Sequence, residues 1–337
     1  MGDVLSGYDA HLRCRAIVNH KATADAAKTV EVAANKLIEK AQRHLPFKPA
    51  PSTIIRNAEL MLYGVSSIPE WLKGNPFILN YYRAGYTTKQ CFKSIFALHN
   101  ETVNIWTHLI GYLIVLALSV HILVNLELHR TRDYLVFSVF QLGSMVMLGG
   151  SSIYHTLSAH QCEEVHNFAL ALDYFGITAM IVGSFYPPVF YLFSCSNVVR
   201  AAYLVAITLL GIMGLMGPFF TFFNMQKFYW PRMILYTSLA SVGILPTIHM
   251  FVGLPTNEQT VPLYKGMFLM LIIYCVGMVI YVLKIPERWY PGHFDVWLHS
   301  HQLWHFFVLG AAVVHYFTCI GAFQMWRVTG GFGGECS

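Results

Sequence analysis

The sequence predicts an all-α fold, a bundle of seven transmembrane helices with a cytoplasmic N-terminus and an extracellular or lumenal C-terminus. Of the 337 residues, 55% are hydrophobic and only 12% are charged, whereas soluble domains carry roughly 25% charged residues. Seven apolar runs are long enough to span a bilayer. Lys and Arg near the ends of these runs divide seven to five in favour of a cytoplasmic N-terminus. Together these observations predict an integral, multi-pass membrane protein.

The chain divides into four predicted parts. Residues 1–57 form a cytoplasmic arm with an amphipathic helix over 22–44 and a Pro-rich linker. Residues 58–104 form an aromatic juxtamembrane segment at the interface, 105–323 the seven-helix domain, and 324–337 a short extracellular or lumenal tail. The first 100 residues hold 13 of the 22 Lys and Arg, which favours contact with anionic lipid over nucleic acid. The start of the arm also fits the loose pattern for N-myristoylation of Gly2.

The seven runs are connected by short polar segments. We place them at 105–126, 134–156, 167–190, 201–223, 232–252, 264–283 and 298–320. Pro187-Pro188 should kink or terminate the third run, and Gly217-Pro218 should kink the fourth near its end. Leu254-Pro255-Thr256-Asn257 predicts a turn after the fifth. Seven dispersed cysteines without a C-x-x-C pair predict mostly buried thiols, with a lumenal pairing of Cys195 with Cys319 or Cys336 left open.

The order of the runs places four polar residues in one leaflet. His155 ends the second run, Asp173 lies near the start of the third, and His301 and His305 lie near the start of the seventh. These three ends face the same side of the membrane whichever way up the protein sits. With a cytoplasmic N-terminus, that side is the cytoplasmic one.

His301 and His305 are four residues apart, so both imidazoles lie on one face of a helix. An unpaired imidazole is costly in hydrocarbon. Three imidazoles suit a zinc ion, and they leave a fourth position for water. We therefore predict His155, His301 and His305 as Zn²⁺ ligands, Asp173 as the catalytic base and Ser151 as a hydrogen-bond donor near the oxyanion. The plainer alternative is that the histidines are satisfied polar groups and that Asp173 caps its helix.

Other polar residues in the runs have structural interpretations. His249 and His315 are predicted to be packed and hydrogen-bonded rather than to bind a metal. Glu101, Asn104 and His108 begin the first run beside Trp106, which we expect at the membrane interface. No chemistry is assigned to these four residues.

Several long motifs resemble the progestin and adipoQ receptor family, which includes the adiponectin receptors and is related to haemolysin III proteins. The resemblance covers about residues 70 to 320 in order. It is carried by Asn100-Glu101-Thr102-Val103-Asn104-Ile105-Trp106-Thr107-His108, Ser151-x-x-x-His155, Leu172-Asp173-Tyr174-x-Gly176, Pro286-Glu287-Arg288, Pro291-Gly292-x-Phe294-Asp295 and Ser300-His301-Gln302-x-x-His305.

The resemblance implies seven helices, a cytoplasmic N-terminus and zinc on His155, His301 and His305, with Ser151 and Asp173 close by. It also implies a zinc-dependent hydrolase of ceramide or a related sphingolipid, with lipid or fatty acid in the bundle and a role in lipid signalling. The alternative is a receptor or scaffold with a structural zinc that binds an adiponectin-like hormone or a steroid; the short outer loops offer little surface to a large protein. Ion transport is a third, weaker hypothesis because no inverted repeat is seen. The plasma membrane and the Golgi or another endomembrane are both compatible locations.

Overall fold

A computed structural model describes residues 60–128, 130–220, 223, 226–253, 258 and 260–329. The predicted arm 1–57 with its amphipathic helix and Gly2, and the predicted turn at 254–257, lie outside the described residues. Residues 324–329 of the predicted tail continue the last helix, which ends at Thr329.

Among the described residues, seven helices have the length and apolar character needed to cross a membrane, which confirms the predicted all-α architecture. Their bounds are Thr102–Asn125, Thr131–Leu157, Glu163–Leu192, Asn197–Phe219, Tyr229–Gly253, Val261–Leu283 and Ser300–Val328, here called the first to seventh spanning helices. The fifth is divided into Tyr229–Ser241 and Ile244–Gly253. Before them come a short helix, Thr88–Ser94, and an antiparallel pair of two-residue strands, Leu62–Tyr63 and Tyr82–Arg83.

Proline has different effects in the third and fourth spanning helices. The third continues through Pro187 and Pro188 to Leu192, so of the two predicted outcomes termination is wrong, and a kink stays a prediction. Pro188 cannot donate to the Ser184 carbonyl, which instead accepts a 2.7 Å hydrogen bond from His315 Nε2 of the seventh helix. The predicted packed role of His315 is thereby confirmed. In the fourth, the α-helix ends at Met216 and a 3-10 turn follows, as Gly217-Pro218 suggested.

The second and third spanning helices touch through glycine. A Cβ atom at Gly150 would lie 2.9 Å from the Leu172 carbonyl oxygen, and one at Gly176 would lie 2.6 Å from the Met147 Cα atom. Small residues allow the backbones of membrane helices to approach this closely. The contact sets Ser151, next to Gly150, beside Asp173, next to Leu172.

The juxtamembrane segment is folded against the bundle. Ile68, Ile78 and Tyr82 form its own small apolar core. The Leu79 N–H and the Asn80 side-chain amide both donate to Asp295, in the connection before the seventh helix, at 2.8 and 3.0 Å. This segment therefore packs on the connection that leads into the seventh helix, and is more than the surface anchor expected from its aromatic residues.

Two cysteines differ from the predicted pattern. Cys319 is a buried free thiol, whereas Cys195 is disulfide-bonded, so Cys319 is not its partner. The other candidate, Cys336, lies outside the described residues. Cys162 is also disulfide-bonded, which the sequence did not indicate.

Candidate metal centre

The C-terminal end of the second spanning helix is held by a buried arginine. Arg83, only 3% exposed, donates from Nη2 to the His155 carbonyl at 2.6 Å and from Nη1 to the Thr156 carbonyl at 3.3 Å. Carbonyls at the end of a helix lack intrahelical partners and carry partial negative charge, which a guanidinium stabilises. Its Nη1 also donates to Ser94 Oγ at 2.6 Å. The backbone of His155 is thus tied to the juxtamembrane segment.

The N-terminal end of the seventh spanning helix is held by a buried carboxylate. Glu287, fully buried, accepts a 2.8 Å hydrogen bond from the Ser300 N–H and another from the Ser300 hydroxyl. A third comes from Asn75 Nδ2 at 3.0 Å. A carboxylate at this position satisfies orphan N–H groups and interacts favourably with the helix dipole. It positions the first helical turn, on which His301 lies.

The three predicted histidines converge. His155 Nε2 and His301 Nε2 are 3.3 Å apart, and one ligand atom from each of His155, His301 and His305 lies within 4.8 Å of the others. Tetrahedral geometry with zinc–nitrogen bonds of about 2.0–2.1 Å requires nitrogens about 3.3–3.4 Å apart. The His155–His301 pair meets this spacing, and the widest pair needs an inward movement of roughly 1.4 Å. The group is one that could bind a metal ion.

Hydrogen bonds at the other ring nitrogens orient two of these imidazoles. His155 Nδ1 donates to Glu101 Oε2 at 2.7 Å, because a carboxylate only accepts. The Thr107 hydroxyl donates to the Val103 carbonyl at 2.8 Å and so accepts from His305 Nδ1 at 3.2 Å. In both rings the proton is on Nδ1, which leaves the Nε2 lone pair for a cation. Metal-binding histidines usually have such a partner, so the donor set fits zinc.

Glu101 is suited to this partner role. Its carboxylate also accepts from Asn104 Nδ2 at 2.6 Å. Burial acts to raise the pKa of the Glu101 carboxyl, but His155 and the amide of Asn104 outweigh it, and the pKa lies well below its usual range. Glu101 is therefore ionised at neutral pH and able to hold the Nδ1 proton of His155.

Asp173 and Ser151 lie beside the histidine group. The Ser151 hydroxyl interacts with the Asp173 carboxylate, and Ser151 is 1% exposed. Asp173 is half-buried, and both side chains face the same cavity as the histidines. The structure thus places all five predicted site residues together.

This cavity has a volume of about 1390 Å³. It extends along the third spanning helix from Asp173 to Leu192, about 28 Å at 1.5 Å per residue. Sites for drug-sized ligands are typically about 300–1,000 Å³. The space is elongated, with the histidine group and Asp173 at one end.

The sequence interpretation missed two contributors, one just before the first spanning helix and one on it. Glu101 orients His155, and His108 stacks on His305 with ring centroids 3.7 Å apart. Glu101, Asn104 and His108 recur at spacings of three and four, which puts them on one face of an otherwise apolar helix. This polar stripe was the signal in the sequence that the two residues belong to the site. The spacing alone does not reveal which neighbouring helix the stripe faces.

Known proteins are similar to this chain over most of its length. The haemolysin-III-related family matches residues 96–316. Heptahelical transmembrane protein 1 of Arabidopsis thaliana is 39% identical over 284 residues, covering 81% of this chain and 83% of that protein. Progestin and adipoQ receptor family member 3 of Homo sapiens is 32% identical over 255 residues, covering 73% and 81%. The adiponectin receptor protein of Drosophila melanogaster is 36% identical over 265 residues, 78% of this chain but only 59% of that protein, so the match spans less than two thirds of its length.

Proposed function

The chain belongs to the haemolysin-III-related family, and from that premise we propose that it is a zinc-dependent hydrolase of membrane lipid amides, ceramide being the expected substrate. The observation that carries the proposal is the 3.3 Å approach of His155 Nε2 to His301 Nε2 beside Asp173, at the polar end of a long cavity. Zinc bound there would polarise an amide carbonyl and lower the pKa of water.

The protein's own groups have separate tasks in this proposal. Glu101 and Thr107 keep the protons of His155 and His305 on Nδ1. Asp173 accepts a proton from the attacking water and delivers it to the amine that leaves. The Ser151 hydroxyl orients the Asp173 carboxylate or donates to the oxygen that gains negative charge. The products are a fatty acid, whose chain the cavity accommodates, and a free long-chain amine.

Asp173→Asn tests the catalytic assignment. The amide keeps the shape of the side chain but cannot take a proton, so turnover of ceramide by purified protein should fall at least about tenfold, and by as much as the roughly 10²–10⁴-fold typical of acid–base groups. Zinc content, measured by elemental analysis, should be unchanged. Wild-type turnover that survives complete metal removal, or an unaltered rate in D173N, would contradict the proposal.

A receptor or scaffold with a structural metal is the second candidate. The observation that favours it is that the ligands come from the ends of two different helices, the second and the seventh, so a metal would fix these helices to each other. In that case chelation should lower the unfolding temperature, while the zinc-loaded protein hydrolyses no lipid amide. A hormone or steroid would then bind at the end of the bundle opposite to the histidines.

A further inference from the structure

Asn104 and His108 carry polar atoms without hydrogen-bond partners at the wall of the cavity. Asn104 is 1% exposed and His108 is 4% exposed, and both line the cavity. Within the described residues, Asn104 Oδ1 and both ring nitrogens of His108 make no hydrogen bond. The His305 carbonyl lies near the His108 ring, but without the geometry of a hydrogen bond.

Such atoms are costly in a protein interior. A buried polar group without a partner has lost its hydrogen bonds to water and gained none in return, and most buried polar groups in native structures bind a protein group or water. Here the two residues that carry the three atoms, Asn104 and His108, lie one helical turn apart on one face of the first spanning helix. The His108 ring is held in place, since it stacks on His305 at an interplanar angle of 11°. The two residues border the cavity, while the three atoms themselves are covered, so a ligand group reaches them by displacing a neighbouring side chain. An unsatisfied polar pair at this border indicates a recognition site.

We propose that Asn104 Oδ1 and the His108 ring bind a hydroxyl group on the headgroup of the lipid that occupies the cavity. Asn104 Oδ1 only accepts, whereas a neutral imidazole offers one donor and one acceptor. A hydroxyl both donates and accepts, so it satisfies either partner. An anion is disfavoured, because it would face Asn104 Oδ1 and the Glu101 carboxylate beside it.

This inference rests on the proposed function for the identity of the ligand as a lipid amide, and it adds the headgroup selectivity. It predicts that a lipid amide with hydroxyl groups on its amine portion binds better than an N-alkyl amide of the same chain lengths without them. Because the hydroxyl gains hydrogen bonds that the N-alkyl amide cannot make, the preference should be about tenfold, equivalent to roughly 1.4 kcal/mol.

The experiment measures binding rather than turnover. Full-length, metal-loaded protein carrying Asp173→Asn, which suppresses hydrolysis, is titrated in detergent micelles with ceramide and with the matched N-alkyl amide, each in competition with a fluorescent fatty amide. This background serves as the wild-type reference for positions 104, 108 and 121. His108→Phe retains an aromatic ring for stacking on His305 but removes both nitrogens. We expect the preference for ceramide to fall from about tenfold to within about twofold.

Two further variants make the result specific. Asn104→Ala should reduce the preference independently, and it decides the matter if His108→Phe does not fold. His121→Phe is the matched control: it is the same substitution on the same helix, but His121 bonds the Tyr316 hydroxyl and does not line the cavity. It should leave the preference at its wild-type value.

The outcomes separate this inference from the proposed function. Equal binding of the two lipids to wild-type protein, or a full preference retained in the variants at positions 108 and 104, would overturn the hydroxyl site and mean that these atoms are hydrated. A wild-type preference that His108→Phe abolishes supports the site even if the zinc-loaded protein hydrolyses nothing. Conversely, hydrolysis of both lipids with equal binding leaves the proposed function in place and removes this inference.

Discussion

The two ends of the bundle are stabilised in different ways. At the histidine end, around His155, His301 and His305, buried charged groups of the juxtamembrane segment and connections hold helix termini through directed hydrogen bonds. At the opposite, aromatic end, the helices meet through a cluster of Phe, Tyr and Ile side chains that includes Phe137 and Phe323. Arginines there stack on rings, as Arg132 does over Trp326 at 5.4 Å.

The difference separates positioning from packing. Hydrogen bonds fix the direction of a group, whereas apolar contacts are non-directional and tolerate small shifts. A metal site needs ligands fixed in direction, and the histidine end has the buried charges that supply this. The aromatic end needs only to hold the helices together. Substitutions should therefore affect metal affinity at one end and unfolding alone at the other.

The largest effect is expected from removing a ligand. In His301→Ala, zinc affinity should fall about 70- to 900-fold, since binding free energies of about 10–16 kcal/mol at structural zinc sites, shared among four ligands, come to about 2.5–4 kcal/mol each. Competition with a chromophoric chelator measures it. His121→Ala, near the aromatic end, serves as the control and should bind zinc normally. Full zinc affinity in H301A would place the metal elsewhere.

A smaller loss should follow from weakening a partner of a ligand. Glu101→Gln removes the charge that holds the Nδ1 proton of His155, and such changes typically lower metal affinity about 10–100-fold. Glu127→Gln is the matched control, because Glu127 lies just beyond the other end of the first spanning helix, paired with Arg327 at 3.4 Å. If both variants bind zinc equally well, the contrast between the ends is not electrostatic.

The smallest effect belongs to the aromatic end. The Tyr191 hydroxyl donates to the buried Asp133 at 3.1 Å, so Tyr191→Phe should lower the free energy of unfolding by about 1 kcal/mol. Zinc affinity should stay within about twofold of wild type, which is within about 0.5 kcal/mol. Unfolding in denaturing detergent and the chelator assay measure the two quantities. Tyr203→Phe is the control, because the Tyr203 hydroxyl bonds Nδ1 of the exposed His249 at 3.0 Å. It should change neither the free energy of unfolding nor the zinc affinity. A loss of zinc affinity in Y191F would show that the ends are coupled.

The sequence predicted the spanning helices and the histidine group well, for physical reasons. Hydropathy over some twenty residues is a local property, and the order of the helices determined which ends share a leaflet. The helix did not terminate at Pro187-Pro188, and the sequence did not indicate that the Ser184 carbonyl left without a partner by Pro188 bonds His315, far away in sequence. The orientation in the membrane and the identity of the metal remain predictions.

The residues that hydrogen-bond or stack on the site residues could not be predicted from the sequence, for a similar reason. Arg83 lies in a two-residue strand and Glu287 in a connection between helices, and neither shows in its neighbouring residues that it holds a helix terminus. Glu101 and His108 lie on a recognisable polar stripe, but which histidine each one contacts depends on how three helices pack. Tertiary contacts of this kind leave no periodic pattern in one sequence.

The glycine contact between the second and third spanning helices has a mechanical consequence. Because backbone atoms touch there, side chains cannot repack to absorb added volume: a methyl group at Gly150 would press on the Leu172 carbonyl from 2.9 Å. The strain would be relieved by displacing one whole helix, carrying Ser151 away from Asp173. Such a substitution would leave every polar group in place and still disable the Ser151–Asp173 pair. Its effect would come from a greater distance between the two side chains and not from the loss of a reactive group.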